Sequence, residues 1–460
     1  MNINELKDLK KLQTLNLTGC GALVSADVLR DLKALQTLNL SRCEQLNNVD
    51  GLKDLGALQK LDLSGCKQLA NVDGLKGVKA LQTLDVSGCE QLTNVDGLKG
   101  LKALQTLNLR GCKQLVNVDG LKELGALREL SLSGCERLAN VDGLKGLKTL
   151  RVLSLDGCEQ LLNLDGLRHL GALQTLFLNG CKQLVNVDGL KGLDALETLS
   201  LSGCSALTSM DALKGLKVLQ RLYLSGCGNL VKMDLSGCER LFNLQGLEEL
   251  QGLQNLDLSG CKQLDFLNGL KDLKALQTVN LSSCKQLRSV AGLKGLKLLQ
   301  NLDLNGCERL TKVDLSGCKQ LANVDGLKDL KALQTLNLRR CAQLANVNGL
   351  KDLKALQRLD LSGCKQLANV NGLKDLEGLQ TLDLSGCQQL DNVEGLKDLK
   401  TLQTLQLTRC PKLSREAVDQ LRTTLLQTEI TADEVSRVRG RPATGARRKN
   451  MTSADRHRTS

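Results

Sequence analysis

Nineteen cysteines are spaced along a chain of 460 residues. Thiols coordinate zinc, attack carbonyls and form disulfides, so their spacing decides which chemistry is open to them. They stand at 20, 43, 66, 89, 112, 135, 158, 181, 204 and 227, then at 238, 261, 284, 307, 318, 341, 364, 387 and 410. Every interval is 23 residues except Cys227 to Cys238 and Cys307 to Cys318, which are 11. No C-x-x-C pair occurs to group ligands tetrahedrally, so no metal and no cofactor is expected. The histidines are His169 and His457. His169 falls at a solvent-facing position of the pattern and His457 near the end of the chain, so no thiol has a base. Asp62 with Asp85, and Asp360 with Asp383, would stand side by side on neighbouring strands. An open sheet gives such carboxylates neither a pocket nor desolvation, and no enzyme is expected.

The elements that place the cysteines are equally regular. In "LQTLNLSRCEQLNNVDGLKDL", apolar residues fall at Leu35, Leu38, Leu40, Cys43, Leu46, Val49, Leu52 and Leu55. Period 2 before the cysteine reads as a strand. Spacing of three after it suits a 3₁₀ turn, opened by Asp50-Gly51 with Asp50 suited to accept from the first free N–H groups. A single unit of this kind cannot bury its own apolar face, but stacked units can. Aromatic residues make up 1 % of the chain, with one Tyr, three Phe and no Trp. The core must therefore be aliphatic, with each cysteine acting in it as a small apolar group and weak S–H donor.

The strand segment L-x-x-L-x-L-x-x-C-x-x-L resembles that of the leucine-rich repeat superfamily. "NVDGLKDLKAL" is similar to the 3₁₀-type half of internalin-like repeats, and "LxLSGCxxL" to repeats of plant resistance proteins and kinetoplastid repeat proteins, among them an adenylate cyclase regulator. The resemblance covers about residues 1 to 427. It implies an α/β solenoid or horseshoe over residues 1–413, with a parallel β-sheet on the concave face and short 3₁₀ or helical turns on the convex face. It also implies a non-catalytic role, as a scaffold or regulatory subunit that binds a protein partner on the concave face.

Eleven residues cannot circle such a solenoid once. At 228–238 and 308–318 a looped-out strand, a kink or a change in stacking is expected. The sheet would otherwise hold 19 strands. Ser414 can cap a helix, and Ala417, Val418, Leu421 and Leu425 share one face, so 414–427 reads as a C-terminal capping helix. Residues 428–460 read as a basic, disordered tail; from 435 onward it carries eight Arg or Lys against one Asp. Arg439-Gly440-Arg441-Pro442 resembles the core of an AT-hook, in which glycine lets the backbone sit deep in the minor groove. Nucleic acid bound through the tail in a nucleus is therefore the alternative to protein binding in the cytoplasm. The first residues show no basic start followed by an apolar run, and no stretch is long enough to span a membrane. A monomer with free thiols is expected.

The expected concave face is mostly small and polar, and poor in the Trp, Tyr and Arg anchors that dominate interfaces. The exceptions form the candidate protein-binding site. Phe177 and Tyr223 share one strand position two turns apart, with Arg110, Glu129, Val152, Asp156 and Arg221 nearby. Arg339, Arg340 and Arg358 form a second group.

Overall fold

A computed structural model describes residues 6, 8–267 and 269–433. Its twenty-one described strands are each three residues long and pair in parallel. They run from β1 (Thr14–Asn16) to β21 (Glu429–Thr431). In each strand the central residue points into the core, as with Leu38 paired to Leu61, and the two flanking residues face out. Between strands the chain returns through 3₁₀ turns such as Asp73–Leu75. The core is one continuous cluster of Leu, Val, Met, Ala and Cys that runs the length of the stack.

Asparagine, rather than the expected aspartate, opens the 3₁₀ turns. The Asn71 carbonyl oxygen accepts from the Asp73 N–H at 3.1 Å, and the Asp73 carboxylate pairs with Lys76 at 2.9 Å instead. An Asx turn of this kind competes well with regular structure. Gly74 lies directly against the Val49 carbonyl of the preceding turn, where a Cβ has no room. Glycine here is a condition of the close stacking of successive turns.

At the two 11-residue intervals the solenoid changes its stacking rather than looping out a strand. Consider β10 (Arg221–Tyr223) and β11 (Lys232–Asp234). β11 does not pair with β10. It packs on the 3₁₀ turn Asp211–Leu213 of the turn below, through a bridge between Ser209 and Lys232. The Gly215 N–H donates to the Ser236 carbonyl at 2.8 Å. It is β12 (Asn243–Gln245), from the return half of the next turn, that pairs with β10. Strand half and return half have exchanged sides.

The second short interval exchanges them back. β15 (Asn301–Asp303) is followed in the stack by the 3₁₀ turn Asp325–Leu327, and β16 (Lys312–Asp314) packs on the turn Ala291–Leu293. The strands therefore form three sheets. The first holds β1 to β10 and β12, the second β11 and β13 (Asn255–Asp257) to β15, and the third β16 to β21. The first and third lie on one side of the solenoid and the second on the other. A single sheet of 19 strands is thereby corrected.

The core survives each exchange because the repeat is nearly symmetric about its half-turn. Apolar–acid pairs occur in both halves, as Leu61-Asp62 in a strand and Val72-Asp73 in a return, eleven residues apart. Met233-Asp234 satisfies both patterns at once. It continues the 23-residue ladder through Val187-Asp188 and Met210-Asp211, and it is also the centre of a strand. Met233 is fully buried, so no apolar face is lost. The mismatch between 11 and half of 23 appears as a register of 22 between Arg221 and Asn243.

The chain ends its described part with helix α1 (Arg415–Thr424), whose N-terminus is capped by the Ser414 hydroxyl accepting from the Ala417 N–H at 3.1 Å. Val418 and Leu421 are buried against the last turns. Glu429–Thr431, expected to lie in the tail, is instead β21, paired with β20 (Thr404–Gln406). No helix among the described residues is long and apolar enough to cross a membrane.

Candidate protein-binding face

The cysteine thiols form a ladder inside the stack. From Cys43 onward each Sγ donates to a carbonyl of the turn below, as Cys66 does to Leu40 at 3.3 Å and Cys112 to Val86 at 3.3 Å. The ladder continues through both exchanges, where Cys238 donates to Leu213 at 3.4 Å and Cys318 to Leu293 at 3.2 Å. Burial pushes the Cys66 and Cys238 thiols up to about 12 and Cys318 to about 11. A thiol held protonated at neutral pH is a poor nucleophile and a poor metal ligand. Among the described residues, His, Cys, Asp and Glu form no cluster of three or more able to hold a metal ion.

The paired aspartates are turn-forming groups. Asp62 and Asp85 stand in register, as do Asp360 and Asp383. Each accepts the N–H of the residue two further on, at 2.8–2.9 Å. One oxygen of each carboxylate is thus engaged in shaping the bend after its strand. His169 is exposed on the return side.

The outward positions of the first sheet form ladders, and the candidate residues divide among three of them. β8 (Thr175–Phe177) and β10 flank β9 (Thr198–Ser200). Phe177, Ser200 and Tyr223 are in register across them. Ser200 is 6 % exposed, a small residue at the bottom of a notch walled by two aromatic rings. Its hydroxyl donates to the Asn179 side chain at 2.5 Å. Glu129, Val152 and Arg221 belong to a second ladder, at the first residue of each strand. The Arg221 guanidinium donates to the Thr198 hydroxyl at 3.2 Å, which holds it flat beside the notch. Arg110 and Asp156 belong to a third ladder, beyond the strand ends; the Asp156 carboxylate accepts from the Asn179 N–H at 2.7 Å. Val152, Asp156, Phe177, Arg221 and Tyr223 thus lie within four consecutive strands; Glu129, in register with Val152, is on the next strand, and Arg110 follows the strand beyond that.

The Arg339, Arg340 and Arg358 side chains are exposed beside the third sheet, the first two just after β17 (Thr335–Asn337) and Arg358 at the start of β18 (Arg358–Asp360). Arg340 has φ 61°, at a position where most turns hold glycine. Arg439, Gly440, Arg441 and Pro442 lie outside the described residues.

Two further aromatics, Phe242 and Phe266, reach this side of the molecule. Phe242 precedes β12, and its N–H donates to the Gln220 carbonyl beside β10. Phe266 lies one 23-residue turn beyond Asn243. The two are 48 % and 53 % exposed. In sequence they sit in return halves, which an unbroken solenoid would turn to the opposite side. The short interval at 228–238 was the signal that reverses this.

A family model described as leucine-rich repeats in two copies matches residues 79–123 and 354–398. Those two segments are leucine-rich repeats. The matched segments lie in the first and third arrays and carry the same unit as the turns around them. Solved structures similar to this solenoid include a leucine-rich-repeat protein of Leptospira interrogans, 23 % identical over 93 % of this chain and 98 % of that one, with a TM-score of 0.37. An internalin of Listeria monocytogenes is 16 % identical over 87 % of this chain and 88 % of that one, with a TM-score of 0.36. A search of curated proteins finds no match.

Proposed function

We propose that this solenoid is a non-catalytic, intracellular scaffold or regulatory subunit that binds a protein partner on its first sheet, around Phe177 and Tyr223. The observation that carries the reading is where the aromatics stand. The chain has four, the core is complete without them, and all four keep solvent exposure. Exposed aromatic side chains on a rigid sheet supply contact area with little ordering cost, which is how a few residues come to dominate an interface. The raised thiol pKa values and the committed aspartates favour binding over catalysis. Capture of partners from a cell lysate tests the reading. A protein retained by the native chain is expected to be released by Phe177→Ala with Tyr223→Ala, and to remain bound when residues 434–460 are removed. Retention by the double variant would sink the proposal, and loss on tail removal would favour nucleic acid or tail recognition instead.

A further inference from the structure

One column of side chains on the return side of the first array breaks the polar pattern of its neighbours. It is the residue four past each cysteine. In six successive turns it reads Val116, Ala139, Leu162, Val185, Thr208 and Val231. The residue before it is core leucine, as Leu161 and Leu184 are. The Leu162 N–H donates to the Ala139 carbonyl at 3.1 Å, the Thr208 N–H to Val185 at 3.1 Å and the Val231 N–H to Thr208 at 3.3 Å, so these rungs stack directly. Val116, Leu162, Val185 and Val231 are 41, 52, 49 and 38 % exposed. Polar residues bound the stripe. Thr93 precedes it, and Gln254 follows, its N–H donating to the Val231 carbonyl at 2.9 Å. Gln254 immediately precedes β13, so the stripe lies toward the side that carries the second sheet, away from Phe177 and Tyr223.

An exposed apolar stripe on a rigid face marks a contact surface, and the order of its residues selects the partner. Read from either end, bulk falls in the same places: valine first, then the smaller Ala139 or Thr208, then Leu162 or Val185 at the centre. A second copy turned about a two-fold axis between Leu162 and Val185 sets Val116 on Val231, Ala139 on Thr208 and Leu162 on Val185. The columns beside the stripe obey the same reversal. Lys113 and Glu136, paired at 3.6 Å, then face Gly228 and Ser205 of the second copy, which leave room for them. Arg137 faces Ala206 in the same way. At the centre Glu159 and Lys182, paired at 2.7 Å, each face the opposite charge of the other copy. A two-fold contact requires such self-complementarity, long residues in one half meeting short ones in the other.

We propose that this stripe is the interface of a two-fold dimer of the chain, with Leu162 and Val185 at its centre. Rungs ~4.8 Å apart give the stripe a length of ~24 Å, and with its flanking columns it covers roughly 500 Å² per copy. That area lies at the weak end of specific interfaces, so the dimer forms and dissociates with concentration. The monomer expected from the sequence is its dilute form. The dimer leaves both Phe177–Tyr223 faces free, so a partner with two binding segments is held at two sites at once. The stripe is separate from that face, and the dimer stands or falls without the protein-binding reading.

Sedimentation velocity of the full chain from about 1 to 200 µM tests the proposal, a range that brackets a micromolar Kd. The native chain is expected to pass from one copy to two. Leu162→Lys and Val185→Glu should each weaken the dimer about a hundredfold, because each change enters the contact twice. Mixed one to one, the two variants should associate again. The new lysine of one copy then meets the new glutamate of the other, and the second Leu162–Val185 contact is native. Val185→Thr, which keeps the shape of the side chain, should weaken the dimer about tenfold and serves if a charged variant misfolds. Leu298→Lys, at an exposed position of the second array, should change nothing. A native chain that stays monomeric throughout overturns the proposal, as does a dimer indifferent to Leu162→Lys or to Val185→Thr. Folded, monomeric variants that do not associate on mixing overturn the two-fold pairing. A monomeric native chain whose stripe variants lose a protein captured from lysate overturns it in favour of a different partner.

Discussion

The first sheet and the second are made from the same 23-residue unit but face opposite sides of the solenoid. The first displays Phe177, Arg221 and Tyr223 among small residues. The second displays Lys232, Asp234, Asn255, Asp257, Thr278, Asn280, Asn301 and Asp303, with no aromatic among them. What separates them is one segment of eleven residues. The comparison teaches that the face a residue occupies in a solenoid is set by counting residues around the coil. It also teaches that half a turn can be inserted without opening the core, provided both halves of the repeat carry the same apolar spacing.

Deleting residues 228–238 is the strongest way to break this comparison. The strand now called β13 (Asn255–Asp257) would then fall 23 residues after β10 and pair with it directly. Labels at positions 175 and 255 are expected to come within about 15 Å, three strand spacings. In the native chain they lie on opposite sides. An unchanged label distance, measured by pulsed electron resonance, would show that the sides are not set by the half-turn.

A smaller effect sharpens the same point at one glycine. Gly246 follows β12, at the crossing from the first array to the second, with φ 84°, and a Cβ there would collide with the backbone N of Ser225. Gly100, inside a regular turn, has φ 80° but open space around it. Alanine at 100 should cost only the left-handed backbone penalty, about 1–2 kcal/mol. Alanine at 246 adds a clash with immovable backbone and should cost about 4 kcal/mol or more. Denaturant melts of the two variants check the difference. Equal losses would mean that the crossing is no tighter than an ordinary turn.

The smallest effect concerns a salt bridge that both exchanges share. Lys214 pairs with Asp234 at 3.3 Å and Lys294 with Asp314 at 3.2 Å. Burial works against the charged carboxylates, but hydrogen bonds from Ser236 and Lys214, and from Ser316 and Lys294, outweigh it and lower both below the ordinary value. A lowered folded value means that the stabilisation is present above the unfolded carboxylate value and is lost as pH falls through the folded one. The lysines are largely exposed, so Lys214→Met with Lys294→Met should cost no more than about 1 kcal/mol per pair at pH 7. That difference should fade in melts as pH drops through the lowered folded value of the two carboxylates. A difference that persists below it would assign the effect to the lysine stems.

Much of this was legible in residue order alone. The 23-residue period, the strand before each cysteine, the 3₁₀ return and the packing role of the thiols all follow from local spacing, because apolar periodicity reports directly on which side of the chain is buried. Phe177 and Tyr223 were legible as a pair for the same reason, since both sit in strands of one unbroken array. Phe242 and Phe266 were not. Their local sequence says return half, and only the stack of turns beneath them says which side a return half faces.

What the sequence by itself determined is therefore the unit: its length, its core positions and the places where half a unit is inserted. What only the tertiary structure decided is the side on which each unit shows its strand. The physical reason is that the side is a running sum of turns around the axis, a property of no single repeat. Eleven residues carry the chain to the opposite side, and the core accepts this because Met233 fills a strand site and a return site equally well.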